Sequence, residues 1–388
     1  MGIQDQIAVL PDTPGFRHHT ASSGRLACVP WRRLEQDLEA WDALALNASE
    51  PNPFFESWYL LPSLRHLSPG HEVMILRLDL DGQLAGILPI VRASRYYRWP
   101  IPNISSWVHD NAFCGLPLVW HGAETVFWQA ILDWADGHVG TGLFLHLQGL
   151  TGPGPLRAAL DTVLEQTGRH AETVHFEERA MLASDLASET YWEASLATKK
   201  RKELRRQANR LSDLGELRFH RTEGIADIDQ WCADFLKLEQ SGWKGRAGSA
   251  LACDKGTAAL FRQSLPGAAR RGRLERAALT LDGRPIAMLA TFLAPPGAFS
   301  YKTAFDEVYA RYSPGVLLQR ENLCRPEQPG VGWRDSCASA DHPMIDHIWR
   351  ERRQVSRLSI AIGGRVRRAA FRQIVRRETA RQSAGNRP

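Results

Sequence analysis

One hairpin occurs twice in this chain, and that repeat constrains the fold more than any other feature. Val73 to Leu80 is an apolar run of strand composition, Asp81-Gly82 follows as a turn, and Gln83 to Val91 returns as a second strand. Asp-Gly between apolar runs marks a two-residue hairpin turn, because both turn positions need positive φ. The figure recurs as Leu274 to Leu281, Asp282-Gly283 and Arg284 to Leu293. Superposing the turns aligns Leu78, Leu80, Asp81, Gly82 and Leu88 with Leu279, Leu281, Asp282, Gly283 and Leu289. Each hairpin also follows two amphipathic stretches: Trp31 to Leu46 and Phe54 to Leu67 in the first half, Ile225 to Gln240 and Thr257 to Arg271 in the second. A helix–helix–hairpin order appearing twice indicates duplication of one α/β unit. A length of 388 residues suits two cores rather than one.

Beyond the hairpins the halves diverge. The first continues through a Pro/Trp-rich segment, Arg98 to Trp120, to an expected helix at Ala123 to Asp136 and a strand at Gly142 to Leu147. The second continues with a strand at Ala298 to Phe305 and a loop from Asp306 to Ser313. A helix from Pro314 to Cys324 and a short strand near Val331 to Asp335 complete it. Between the halves, Tyr191 to Asp213 is a long helix-forming stretch dense in Lys and Arg, which places the boundary near 190–215.

Composition narrows the class. Hydrophobic residues at 44% and charged residues at 23% are globular values. The six Cys (28, 114, 232, 253, 324 and 337) show neither CxxC spacing nor a His pair at ligand spacing, so no zinc site is expected and the thiols read as reduced and cytosolic. The first fifteen residues lack the pattern of a signal peptide, and position 6 is Gln, which breaks the myristoylation pattern. The longest near-apolar run, Ile286 to Ala294, is too short to span a bilayer. Twelve Arg and two Glu from Arg350 to Pro388 give that segment +10, leaving −5 of the net +5 on residues 1–349. A basic tail on a mildly acidic body invites an anionic partner at the tail.

Several segments together resemble the CelD/BcsL-type acetyltransferases, double-GNAT proteins related in fold to the Fem-type peptidyltransferases. They are Tyr191 to Leu196 with the basic run after it, Gln240-Ser241-Gly242-Trp243-Lys244, the strand pair around Asp282-Gly283, Tyr312 to Leu318, and Trp333 to Arg353. The resemblance covers roughly residues 40–355. It implies an α/β fold of two tandem GNAT-like units with mixed sheets, a basic linker helix and a C-terminal basic helix. The units are expected at 25–190 and 214–355, with the linker helix at 191–213, the donor site in the second unit and an Arg-rich tail at 356–388. It implies a cytoplasmic enzyme, peripheral at most to the inner membrane, that moves an acyl group from acyl-CoA to an amine without a metal. The amine belongs either to an amino sugar of a polysaccharide or to a lipid such as a sphingoid base. The alternatives are a Fem-like transferase using aminoacyl-tRNA and a non-catalytic scaffold for membrane or polysaccharide machinery. The Q/R-x-x-G-x-G/A motif of ordinary GNAT enzymes is absent, and Arg311 to Gly315 is its nearest counterpart.

Within that frame, Ser313, Gly315, Val316 and Leu317 are the expected donor-binding residues. Ser, Pro and Gly at the head of a helix leave backbone N–H groups for a pyrophosphate, though the same three residues also simply start a helix well. Tyr301 is either the proton donor to the departing thiolate or a half-buried strand residue. The candidate bases are Asp335, Asp341, His342 and Glu239. His342 beside Asp341 either accepts the amine's proton or shapes its turn. Cys337 as an acyl-carrying nucleophile fits GNAT chemistry poorly. The basic run at 199–210 is a solvated helix face or a contact for the 3′-phosphate of CoA, a lipid head group or a nucleic acid; without interleaved aromatics a single-strand platform is not expected. On the tail, Val366, Ala370, Phe371, Ile374 and Val375 share one helix side, suited either to anionic membrane or to docking on the core.

Overall fold

The computed structural model describes residues 24–68, 70, 72–323 and 330–385, with side chains through Glu378 at the C-terminal end. Cys324 and the segment read for a leader, residues 1–15, lie outside the described residues.

The first unit runs β1 (Gly24–Pro30), α1 (Leu38–Leu46), α2 (Ser57–Leu67), β2 (Met74–Leu80), β3 (Gln83–Ala93), β4 (Asn103–Ser106) and β5 (Leu118–Val119). It ends with α3 (Glu124–Gly137), β6 (Phe144–Gly152), α4 (Pro155–Gln166) and β7 (Ala171–Leu182). Two helices, α5 (Ser188–Ser195) and α6 (Thr198–Ser212), connect it to the second. They replace the single helix expected there: Ser195 Oγ donates to the Tyr191 carbonyl at 2.8 Å and Leu196 adopts an extended conformation, which breaks the run. The second unit runs β8 (Leu217–Glu223), α7 (Ile228–Ser241), α8 (Trp243–Arg246), α9 (Lys255–Arg270), β9 (Leu274–Leu281), β10 (Arg284–Ala294) and β11 (Gly297–Phe305). Then come α10 (Pro314–Leu323), β12 (Trp333–Asp335), β13 (Glu351–Ala361) and α11 (Arg365–Gly385).

Both expected hairpins form with the same turn. Asp81 and Gly82 have φ of 52° and 79°, Asp282 and Gly283 have 49° and 78°, and Leu80 faces Gln83 as Leu281 faces Arg284. The repeat extends to the second helix of each unit, which carries an internal proline, Pro62 in α2 and Pro266 in α9. These two helices pack on each other closely enough that a Cβ on Gly267 would stand 3.0 Å from Trp58 Cβ. Their contact joins the two units in one aromatic core, where Trp58 meets Phe292 with ring centroids 4.8 Å apart.

The strands form one mixed sheet in the order β1-β2-β3-β4-β6-β13-β7-β12-β11-β10-β9-β8, with β5 paired to β3. At its centre the units exchange strands. β13, the last strand of the second unit, lies beside β6 of the first, and β7, the last strand of the first, lies beside β12 of the second. β13 and β7 then pair with each other from Glu351 to Ile360. Residues 356–361, expected as the start of the tail, are thus the latter part of a central strand.

The tail helix docks on this sheet. Phe371 and Val375 are buried against Tyr96, Phe144 and Ala361, while Arg367 donates to the Gly142 carbonyl and Arg368 pairs with Asp136. The apolar side, read as suited either to anionic membrane or to docking on the core, is therefore divided: its Phe371 half is covered by protein, and Val366 stands 84% exposed. Among the described residues no helix is long and apolar enough to cross a membrane.

Candidate functional site at the parting of two parallel strands

Each unit contains one parallel strand pair, and each pair separates soon after it forms. In the second unit β11 and β12 pair only from Gly297–Trp333 to Phe299–Asp335. There β11 also loses register with β10: Ala290 faces Lys302, but Phe292 faces Phe299, so β11 holds an extra residue at Ser300–Tyr301. A bulge of this kind turns backbone groups out of the ladder. The hydroxyls of Ser300, within the bulge, and Thr291, opposite it, are buried without a hydrogen-bond partner among the described residues.

The side chains beside this parting come from both units. Lys302 lies over the rings of Phe113, at 5.1 Å, and Tyr301, at 5.6 Å. Burial, and then the charge of Lys244, lower its pKa to about 8. Lys244 pairs with Glu239 at 2.9 Å and donates to the Thr303 carbonyl, while the other Glu239 oxygen accepts from the Leu251 N–H. On the first unit's side, His109 stacks on Tyr59 and lies 3.0 Å from Ser63 Oγ. Burial, with Lys302 adding to it, pushes its pKa down to about 3, so the ring stays neutral. Beside His109 and Phe113 lies a cavity of about 270 Å³ whose lining comes from the first unit and β13, including Asp110, Gln148, Gly149, Glu177, Arg179 and Arg357.

The expected site residues are distributed unevenly around this centre. Tyr301 is at it, but fully buried: its hydroxyl lies 3.2 Å from that of Tyr59, and burial pushes the phenol pKa up. Asp335, at the end of β12, is wholly buried and accepts from Arg179 at 2.6 Å with Arg353 at 3.3 Å. Cys337 is buried, and burial together with Asp335 holds its thiol protonated, which opposes a nucleophilic role. Asp341 is exposed, with φ of 57°. His342 is half-buried, and its Nδ1 accepts from the Met344 and Ile345 N–H groups at 3.3 and 3.4 Å. That acceptance fixes Nδ1 as the bare nitrogen, and burial lowers the pKa.

Downstream of β11, a 3-10 turn (Glu307–Tyr312) leads into α10 with Pro314 at its first position. Ser313 is left-handed, with φ of 54°, and its carbonyl accepts from the Val316 and Leu317 N–H groups. Gly315 therefore has the candidate donor of that turn. A Cβ on Gly315 would stand 3.2 Å from Met344 Sδ. Helix α6 runs alongside, since its Ala208 and Leu211 pack with Tyr312 and Leu317. The basic run is thus placed next to the start of α10.

The first unit's parallel pair, Ile104–Leu145 and Ser105–His146, parts as well, but chain fills the space. Gln148 Nε2 donates to Ser105 Oγ at 3.0 Å, its backbone N–H donates to Ser106 Oγ at 2.8 Å, and Gly115 N–H donates to the Gly149 carbonyl at 2.8 Å. Among the described residues no group of three His, Cys, Asp or Glu side chains could hold a metal ion.

An antiparallel hairpin, a bulged strand, a helix and a parallel strand that parts from it define the class, and sequence comparison agrees. Residues 198–342, most of the second unit, match the family model described as acetyltransferase (GNAT) domain. No curated protein matches the chain. Among solved structures, the crystal structure of FemX is similar, with a TM-score of 0.54 at 10% identity over 83% of this chain and 95% of that one. A conserved protein of unknown function from Bacteroides thetaiotaomicron VPI-5482 gives a TM-score of 0.52 at 10% identity, covering 84% and 97%. A tandem GNAT protein from the clavulanic acid biosynthesis pathway is 16% identical over 87% and 98%, with a TM-score of 0.42. The fold is shared with FemX and the Bacteroides protein, and the expected CelD/BcsL type is a finer assignment than these similarities reach.

Sequence reasoning missed Lys302, His109, Asp110 and Phe113. Lys244 lay within the Gln240–Lys244 stretch but drew no role. Lys302 had a local signal, a lysine in an otherwise apolar strand next to Tyr301; the others join the site only through the docking of the two halves.

Proposed function

We propose that the chain is an N-acyltransferase that moves an acyl group from acyl-CoA to an amine at the β11–β12 parting. The observation that most supports this is the Ser300–Tyr301 bulge, which lies where the parallel strands separate. In this reading a backbone N–H of the bulge receives the thioester carbonyl oxygen as it gains negative charge. The pyrophosphate sits at the Gly315 N–H and the start of α10, with the cationic side chains of α6 nearby for the 3′-phosphate.

The acceptor enters from the 270 Å³ cavity on the first unit's side. Asp110 and Glu177 suit its ammonium form, and Lys302 takes the proton, since a lysine with a pKa near 8 is substantially neutral at slightly basic pH. The neutral amine adds to the carbonyl, and the tetrahedral intermediate collapses to the amide as the nitrogen's second proton passes to the departing sulfur, so that CoA leaves as the thiol. Lys302 replaces His342 in this role because the Nδ1 that would accept the proton is already engaged by two N–H groups. The acceptor amine is carried on a sugar or a lipid, and the step needs no metal.

The test is to supply acetyl-CoA and long-chain acyl-CoA with panels of amino sugars and sphingoid amines, following free CoA thiol and product mass. Amine-dependent thiol release with an acylated product is expected. A second reading, aminoacyl transfer from tRNA, is favoured only by the seven Lys and Arg of the 199–210 run. Transfer from aminoacyl-tRNA, with no thiol release from any acyl-CoA, would replace the first reading with the second.

A further inference from the structure

The docking of α11 leaves a second apolar surface that the acyl-transfer reading does not use. Between α11 and the loop at residues 95–101 lies a groove of about 640 Å³, walled by Tyr97, Trp99 and Ile101 on one side and Ala370 and Ile374 on the other. Tyr97 is 56% and Trp99 43% exposed, which is unusual for rings of this size. The charged groups at the groove are Arg98, Arg377 and Glu378, and Arg357 donates to the Tyr97 hydroxyl at 3.1 Å. The one carboxylate among them accepts the Tyr96 hydroxyl at 2.8 Å. Around the helix, Arg365, Arg372 and Arg376 are exposed as well.

We propose that this face, the Tyr97–Trp99 loop with the outer side of α11, is a docking surface for an anionic phospholipid bilayer. Indole and phenol rings with an apolar body and a polar edge settle at the head-group level of a membrane, and arginines beside them meet lipid phosphates. The charge is complementary: α11 carries seven Arg and one Glu, a net +6, while residues 1–349 carry −5, so a negative leaflet attracts this face. Phe371 and Val375 hold the helix to the protein, so the surface is pre-formed and no helix has to fold on binding.

Sedimentation of the full chain with phosphatidylcholine vesicles, with and without phosphatidylglycerol, tests this. Binding is expected only with phosphatidylglycerol and should be lost at high salt. Each arginine brought to the leaflet strengthens partitioning about fivefold. Arg372→Gln with Arg377→Gln should therefore weaken binding about 25-fold. Tyr97→Ser with Trp99→Ser should weaken it at least about tenfold by removing the inserted rings. Melting temperatures of both variants should match the parent, because the altered side chains are exposed. Absence of sedimentation with phosphatidylglycerol at low salt overturns the proposal. So does parental binding by the Tyr97→Ser, Trp99→Ser variant, which would mark a site for soluble polyanions rather than a membrane.

Discussion

The two strand partings share one plan and differ in what the chain does after them. Each follows an Asp-Gly hairpin and a proline-bearing helix, and each separates a parallel pair. The difference lies in what the chain does next. After β4 it runs as coil across the gap, so close that a Cβ on Gly115 would stand 1.9 Å from the Gln148 carbonyl oxygen. After β11 it turns once and enters α10, and the gap is bordered instead by Lys302, Lys244 and Glu239. A duplicated frame has thus kept its hairpin and its proline-bearing helix in both copies, while the connection after the parallel strand differs between them.

The largest effect should come from breaking the exchange that ties the copies together. Ending the chain at Trp349 removes β13 from between β6 and β7. Because neither sheet half is then complete, both units should lose protection together in hydrogen exchange rather than the second alone. Next is Asp335→Ala, which leaves Arg179 and Arg353 buried without their carboxylate. A loss of about 3–5 kcal/mol in denaturant unfolding is expected for an uncompensated buried charge. A loss comparable to a surface pair would mean that water reaches this seam.

Lys302→Met should lower kcat/KM about 100-fold, the usual worth of a positioned proton acceptor, with little change in stability. The pH profile separates this from a merely structural role. The neutral amine is the active form, so the parent's kcat/KM should climb as pH rises through about 8, and Lys302→Met should remove that limb. The smallest effect belongs to the closed parting. Gln148→Ala deletes the side-chain bonds to Ser105 Oγ and to the Ser106 carbonyl and should cost about 1 kcal/mol in denaturant unfolding.

Much of the frame was legible in the sequence because it is local. The hairpins declared themselves through Asp-Gly, α7 and α9 through their amphipathic pattern, and α10 through Ser-Pro-Gly at its start. The central strands hid behind their charges. β7 carries Arg179 and β13 carries Arg353 at buried positions, so a run dense in Arg resembled a solvated tail until Asp335 supplied the partner for both. The site was legible only on one side. Tyr301 stood out on its strand, but the contact that places it, Tyr59 against Tyr301, spans 242 positions, and no pattern within a window reports that. His342 was the reverse case, a residue of suggestive chemistry whose Nδ1 is used by its own turn.

The most direct test of the difference between the copies is a calorimetric titration of acetyl-CoA into the parent, Gly315→Val and Gln148→Ala proteins, each checked for folding by its melting curve. One molecule should bind per chain, with affinity kept in Gln148→Ala and lost in Gly315→Val, where the new side chain presses on Met344 and Phe305 at the start of α10. Two molecules per chain, or one whose affinity survives Gly315→Val and falls with Gln148→Ala, would contradict the assignment of the donor to the second parting.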